Sequence, residues 1–110
     1  MLKLWIIIKM GYKMKKLIPI IPGQILKEEF LVPMGISQSK LARDLNIPAN
    51  RISQIIAGKR EITADTALRF SKYFNIEPEF WLNLQLRFNL KIAVENNGRK
   101  INKEVHALAA

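Results

Sequence analysis

Residues Ser37 to Arg60, SQSKLARDLNIPANRISQIIAGKR, constrain this chain more than any other stretch. Leu41, Ala42 and Leu45 recur at helical spacing on one side of a first short helix, and Ile52, Ile55 and Ile56 on one side of a second. Both apolar sides need cover, so the two helices share one core. Between them Asn46 tolerates the left-handed conformation that ends a helix, and Pro48 disfavours helix in Ile47 before it. The joint is therefore tight. On a wheel of about 100° per residue with Ile52 at zero, Asn50, Ser53, Gln54 and Ala57 fall on the far side. The second helix presents a small, amide-rich outer face.

Such a face suits the major groove of duplex DNA. Asn and Gln match the paired donor and acceptor on the edge of adenine, and Ser is short enough to allow close approach. Asn50, Ser53 and Gln54 are the candidates for base contact, with Arg51 at the edge able to read a guanine or hold a phosphate. Ser37 is a good N-cap and puts Gln38 and Ser39 in a first turn whose N–H groups point outward, where a phosphate fits. Ser37, Gln38, Lys40, Lys59 and Arg60 are the candidates for phosphate or positioning contacts. Gln38 also has a plainer reading, as a capping or intrahelical side chain.

Charge supports a polyanionic partner through its placement. The net charge is +9. It gathers in Lys40, Arg43, Arg51, Lys59 and Arg60 against Asp44 alone, and in the N-terminal arm, where Lys3, Lys9, Lys13, Lys15 and Lys16 face no acid. A Lys-rich composition inherited from an AT-rich genome explains part of the same excess. The chemistry of catalysis is missing. Cysteine is absent and His106 is the single histidine, which excludes disulfides and thiolate chemistry and argues against a metal cluster or a histidine relay. No phosphate-cradling glycine loop and no nucleophile–base pair is visible, so the chain reads as no enzyme, with no cofactor and no metal. Glu61 and Asp65 read as a surface charge and a helix-end carboxylate.

At 110 residues there is room for one domain with one modest core, and at this size a chain often dimerises to gain buried surface. The expected layout is an extension over residues 1–17, a helical domain over 18–95 and a tail or short helix over 96–110. The run Leu4 to Ile8 is too short to span a bilayer and no small-residue cleavage site follows it. The arm reads as an extension upstream of a usual start at Met14, as an edge strand, or as a membrane-surface or partner-binding arm. A first helix is predicted from Pro22 to about Leu31, stopped by Val32-Pro33, with Ile25, Leu26 and Phe30 inward and Lys27, Glu28 and Glu29 in solvent.

Gly58 offers a left-handed cap after the second helix of the central pair, and Thr63 caps a fourth helix whose Ala64, Ala67, Leu68, Ser71 and Phe74 form a stripe. Pro78 opens a fifth helix with two apolar stripes. Trp81, Leu84, Phe88 and Ile92 make one; Leu82, Leu86, Leu90 and Ala93 make another, roughly 150° away. One small core cannot cover both, so the second is expected to meet a partner, most simply a second copy. Folding of residues 96–110 back over it is the competing expectation. Asn96-Asn97-Gly98 is a turn signal, after which Ile101, Val105 and Leu108 align on a short helix with His106 off the stripe.

Ser37, Gln38, Leu41, Ala42, Leu45, Asn46, Ile47, Ile52 and Ile55 resemble the helix-turn-helix of phage-repressor-like regulators, with Asn46 where many members carry Gly. The wider run is more specific. PGQILKEEFLVPMGISQSKLARDL, PANRISQIIAGKREITADTALRFSKYF and PEFWLNLQ together resemble the HigA family of antitoxins, also called virulence-associated protein I, over about Ile20 to Leu90. The family commonly has His at position 21 and Glu at 24, where this chain has Ile21 and Gln24. The resemblance implies an all-α, five-helix domain in which Gln38 braces the backbone and the recognition helix. It further implies a cytoplasmic homodimer that represses its operon by binding a palindromic operator and neutralises a HigB-like endoribonuclease toxin. The alternative is a stand-alone regulator, or a nucleic-acid-associated interaction module, with no toxin partner.

Overall fold

The protein's structure, a computed structural model, describes residues 20–109. The expected extension over residues 1–17 lies outside the described residues. Five helices follow one another in this range. Helix α1 is composite and continuous: Pro22–Ile25 is α-helical, Leu26–Leu31 is a π segment and Val32–Met34 is α-helical again. Next come α2 (Gln38–Leu45), α3 (Ala49–Ile56), α4 (Ala64–Phe74) and α5 (Pro78–Glu104). Among the described residues there is no strand, and the all-α, five-helix class holds.

Local chemistry sets most of the ends. Pro22 and Pro78 occupy first-turn positions where a missing N–H costs nothing. The Ser37 and Thr63 side chains each accept an N–H from three residues on, Lys40 at 3.0 Å and Thr66 at 3.4 Å. Gly35 and Gly58 close α1 and α3 in the left-handed region, at φ 65° and 76°. Asn46 and Asn75 do the same for α2 and α4, at φ 57° and 56°. Sequence reading anticipated Asn46 and Gly58 in this role and passed over Asn75.

Two boundaries depart from the sequence expectation. Val32-Pro33 does not stop α1, because the chain widens before it: the Val32 N–H reaches back five residues to the Lys27 carbonyl. An ordinary turn would drive the proline ring into the carbonyl four residues back, and the widened turn relieves that clash. The Asn96-Asn97-Gly98 signal also fails, since all three lie within α5, which runs unbroken to Glu104. Asn and Gly each cost up to about 1 kcal/mol in a helix interior, and a helix already nucleated upstream extends through such a cost. No separate C-terminal helix forms; residues 96–104 are the end of α5.

The core is made where the helices converge. Phe30, Phe70 and Trp81 are fully buried, and both phenylalanines pack on the indole, with centroids 5.0 Å apart for Phe30–Trp81 (tilted) and 4.9 Å for Phe70–Trp81 (edge-on). Ile25, Leu26, Leu41, Ile52 and Ile55 complete it. Glu29, expected in solvent, is buried at 1 % exposure. It stands four residues after Ile25 and three after Leu26, on the side that those two turn into the core. On α4 the buried side is Thr66, Ala67 and Phe70, while Ala64 and Leu68 stay exposed. The expected stripe was displaced around that helix because Phe70, which it left out, packs on Trp81 at the centre of the core, while Phe74 is half-buried beside it.

The first stripe of α5 enters the core with Trp81 and Leu84 and emerges gradually, Phe88 and Ile92 being half-buried. On the second, Leu82 is half-buried against the domain's own core. Leu86 (55 %), Leu90 (56 %) and Ala93 lie open, joined by Val94 (65 %). Residues 99–109 are exposed throughout and do not fold back over them.

Candidate nucleic-acid interface

α2 and α3 form the helix-turn-helix, and the core fixes which way α3 faces. Ile52 and Ile55 are buried at 0 % and 1 %, which turns Asn50, Ser53 and Ala57 outward into solvent and leaves Arg51 and Gln54 half-exposed at the rim. The amide-rich face expected from the sequence is therefore an outer surface. Gly23 is what lets α1 lie against this helix: a Cβ there would collide with the Ile55 carbonyl and the Ile56 Cα. Backbone on backbone at that point locks the height of α3 above the core.

Ser53 Oγ donates to the Asn50 carbonyl at 3.0 Å, so its hydroxyl proton is used inside the helix and its lone pairs face outward as acceptors. Gln54 is more constrained. After α3 the Lys59 N–H donates to the Gln54 carbonyl (2.9 Å) and the Gly58 N–H to the Ile55 carbonyl (3.1 Å), the paired bonds of a Schellman cap built on left-handed Gly58. This reversal returns Arg60 alongside Gln54, and Arg60 Nε donates to Gln54 Oε1 at 2.9 Å. Arg60 was singled out for phosphate; here one arm of its guanidinium holds a base-contact candidate.

The loop carrying Lys59 and Arg60 is itself fastened to α5. The buried Gln85 accepts the Ile62 N–H on Oε1 (2.9 Å) and donates from Nε2 to Asn89 Oδ1 (3.0 Å). Asn89 Nδ2 in turn donates to Glu61 Oε1 (2.8 Å). Sequence reasoning missed this relay. Its one signal was Gln85, an amide wedged among Trp81, Leu84 and Phe88 on a side otherwise destined for the core.

Lys40 also has a local partner. Its Nζ lies 2.8 Å from Asp44 Oδ2, an oxygen that also accepts the Tyr73 hydroxyl at 2.6 Å. The Lys40 ammonium and the Tyr73 hydroxyl hold the Asp44 carboxyl below the usual carboxylate range, and hydrogen bonding to Asp44 raises both Lys40 and Tyr73. Arg69 spans Asp65 Oδ2 (2.9 Å) and the Leu45 carbonyl (2.8 Å), satisfying an otherwise orphaned group at the end of α2. These contacts tie α2 to α4 and leave Ser37, capping α2, and the half-buried Gln38 at its open end.

Among the described residues no three His, Cys, Asp or Glu side chains gather as metal ligands, and no helix is long and apolar enough to cross a membrane. The helix-turn-helix family matches residues 26–81. Virulence-associated protein I of Dichelobacter nodosus is 47 % identical over 81 residues, covering 74 % of this chain and 74 % of that protein. An addiction module antidote protein of the HigA family from Coxiella burnetii superposes with a TM-score of 0.78 at 50 % identity, covering 82 % of this chain and 98 % of that one. The antitoxin HigA of Pseudomonas aeruginosa, solved with the higBA promoter, superposes with a TM-score of 0.81 at 40 % identity, covering 84 % and 100 %. With its helix-turn-helix, its outward amide face and these likenesses, the chain belongs to the helix-turn-helix family and, within it, to the HigA-type antitoxins, a class of non-enzymatic DNA-binding regulators.

Proposed function

We propose that this protein is the antitoxin and sequence-specific transcriptional repressor of a type II toxin–antitoxin operon. It binds a palindromic operator as a homodimer and neutralises a HigB-like endoribonuclease toxin. The observation that carries the DNA part is the exposed polar edge of α3, in a fold shared with an antitoxin solved on promoter DNA. Two such helices about 34 Å apart read successive major grooves on one side of a duplex. Asn50, Ser53, Gln54 and Arg51 make the base contacts; Ser37, Gln38, Lys40, Lys59 and Arg60 position the backbone, Lys40 by exchanging Asp44 for phosphate. The open surface of Leu86, Leu90 and Ala93 supports pairing with a second copy. The toxin part rests on family membership.

Competition between an operator selected from random duplexes and random DNA tests the reading. Gln54→Ala or Asn50→Ala should cost about 1–3 kcal/mol on operator and little on random duplex. Lys59→Ala should weaken both and flatten the salt slope. Equal losses from Gln54→Ala on every sequence would count against the site. Copurification with the product of the adjacent gene tests the toxin partner; its absence would leave a regulator without one.

A further inference from the structure

We infer that Arg60 is a specificity-determining positioning residue: it acts on DNA chiefly through Gln54, by fixing the plane and polarity of the Gln54 carboxamide before DNA arrives. This inference rests on the operator-binding reading above and adds to it a division of labour within the loop after α3.

The chemistry of the contact decides the polarity. Arg Nε carries a proton and cannot accept, so the atom 2.9 Å from it must be the amide oxygen of Gln54. The Gln54 Nε2, with both its donors, then points away from Arg60. One lone pair of Oε1 is also left. A free Gln at a groove surface presents either end of its amide; this one presents a defined donor with an acceptor beside it, the arrangement that matches the Hoogsteen edge of adenine.

The backbone holds Arg60 in place to do this. The Schellman bonds at Gly58 and Lys59 set the reversal, and the relay from Ile62 and Glu61 through Gln85 and Asn89 fastens the next residues to α5. Arg60 is thus gripped from both flanks. Its neighbour Lys59 has no such side chain to orient among the described residues and remains the phosphate contact of the pair. Lys cannot substitute: it keeps the charge but has a methylene where Arg60 has Nε–H, and its ammonium, one atom further out, is a rotatable donor with no fixed plane.

The test is a base scan. On the selected operator, every base pair of one half-site is changed in turn and binding is measured for the wild type, Arg60→Ala, Arg60→Lys, Gln54→Ala and the Arg60→Ala/Gln54→Ala pair. Gln54→Ala identifies the base pair it reads. Arg60→Ala and Arg60→Lys should each lose about tenfold in discrimination at that same base pair. Arg60→Lys should keep the wild-type salt slope, and the double variant should discriminate no worse than Gln54→Ala alone. Losses from Arg60→Ala that are uniform across sequences, restored by Arg60→Lys and additive with Gln54→Ala would make Arg60 a phosphate clamp and overturn the inference, with the operator reading intact. A wild-type protein that binds all duplexes alike would overturn both.

Discussion

Single residues carry much of this fold because they stand where backbones meet or reverse. Gly23 is a helical glycine, ordinarily a liability of about 1 kcal/mol against Ala, yet Ala there would push α1 off the end of α3. Gly23→Ala should destabilise the domain by about 3 kcal/mol, read by urea denaturation, with the slope unchanged. At Asn75, left-handed at the end of α4, Gly should be neutral or slightly stabilising, whereas Ala should cost about 1 kcal/mol. The Lys40–Asp44–Tyr73 cluster gives a pH signature. Asp44 is depressed, so what it contributes is present above its unfolded value near pH 4 and lost as pH falls through the lower folded one. Tyr73 is raised, so its contribution is present below about pH 10 and lost as pH rises through the higher folded value. Ultraviolet titration in a Tyr12→Phe background should show Tyr73 ionising later than free tyrosine, and Asp44→Asn should bring it back.

At the scale of elements, the short helices were readable and the ends of the long ones were not. α2 and α3 have one apolar side each, a capping Ser, an Asn–Pro joint and a closing Gly, and each signal points to the same structure. α1 and α5 outran their apparent stops because a cost of about 1 kcal/mol at Asn or Gly yields to an elongating helix, and the larger cost of Pro33, about 3 kcal/mol, is relieved by a widened turn. Gly98 takes no positive φ, and a Cβ there would meet only Val94 Cγ1 at an ordinary 3.6 Å. Gly98→Ala should therefore strengthen the end of α5 by up to about 1 kcal/mol, seen as slower amide exchange over residues 99–104; faster exchange would show that the glycine is needed. Gln85 and Asn89 explain why the loop between α3 and α4 is no loose connection, and a wheel counting only apolar residues overlooks them.

For the whole molecule, the open question raised by α5 is what meets its outer side. Leu86→Lys and Leu90→Lys, at positions already more than half exposed, should leave the fold of one chain intact while weakening self-association in sedimentation by tenfold or more. Operator affinity should fall with it, since a monomer holds one half-site. The chain's pattern by itself determined that it is all-helical, where the helix-turn-helix lies and which side of α3 faces out, because apolar spacing and caps act between near neighbours. Only the tertiary structure decided that Phe70 rather than the small-residue stripe faces inward on α4, that Tyr73 joins Lys40 on Asp44 and that Arg60 grips Gln54. Those outcomes depend on how competing faces share one core and on side chains brought together by a chain reversal, and neither is written in the spacing of any single segment.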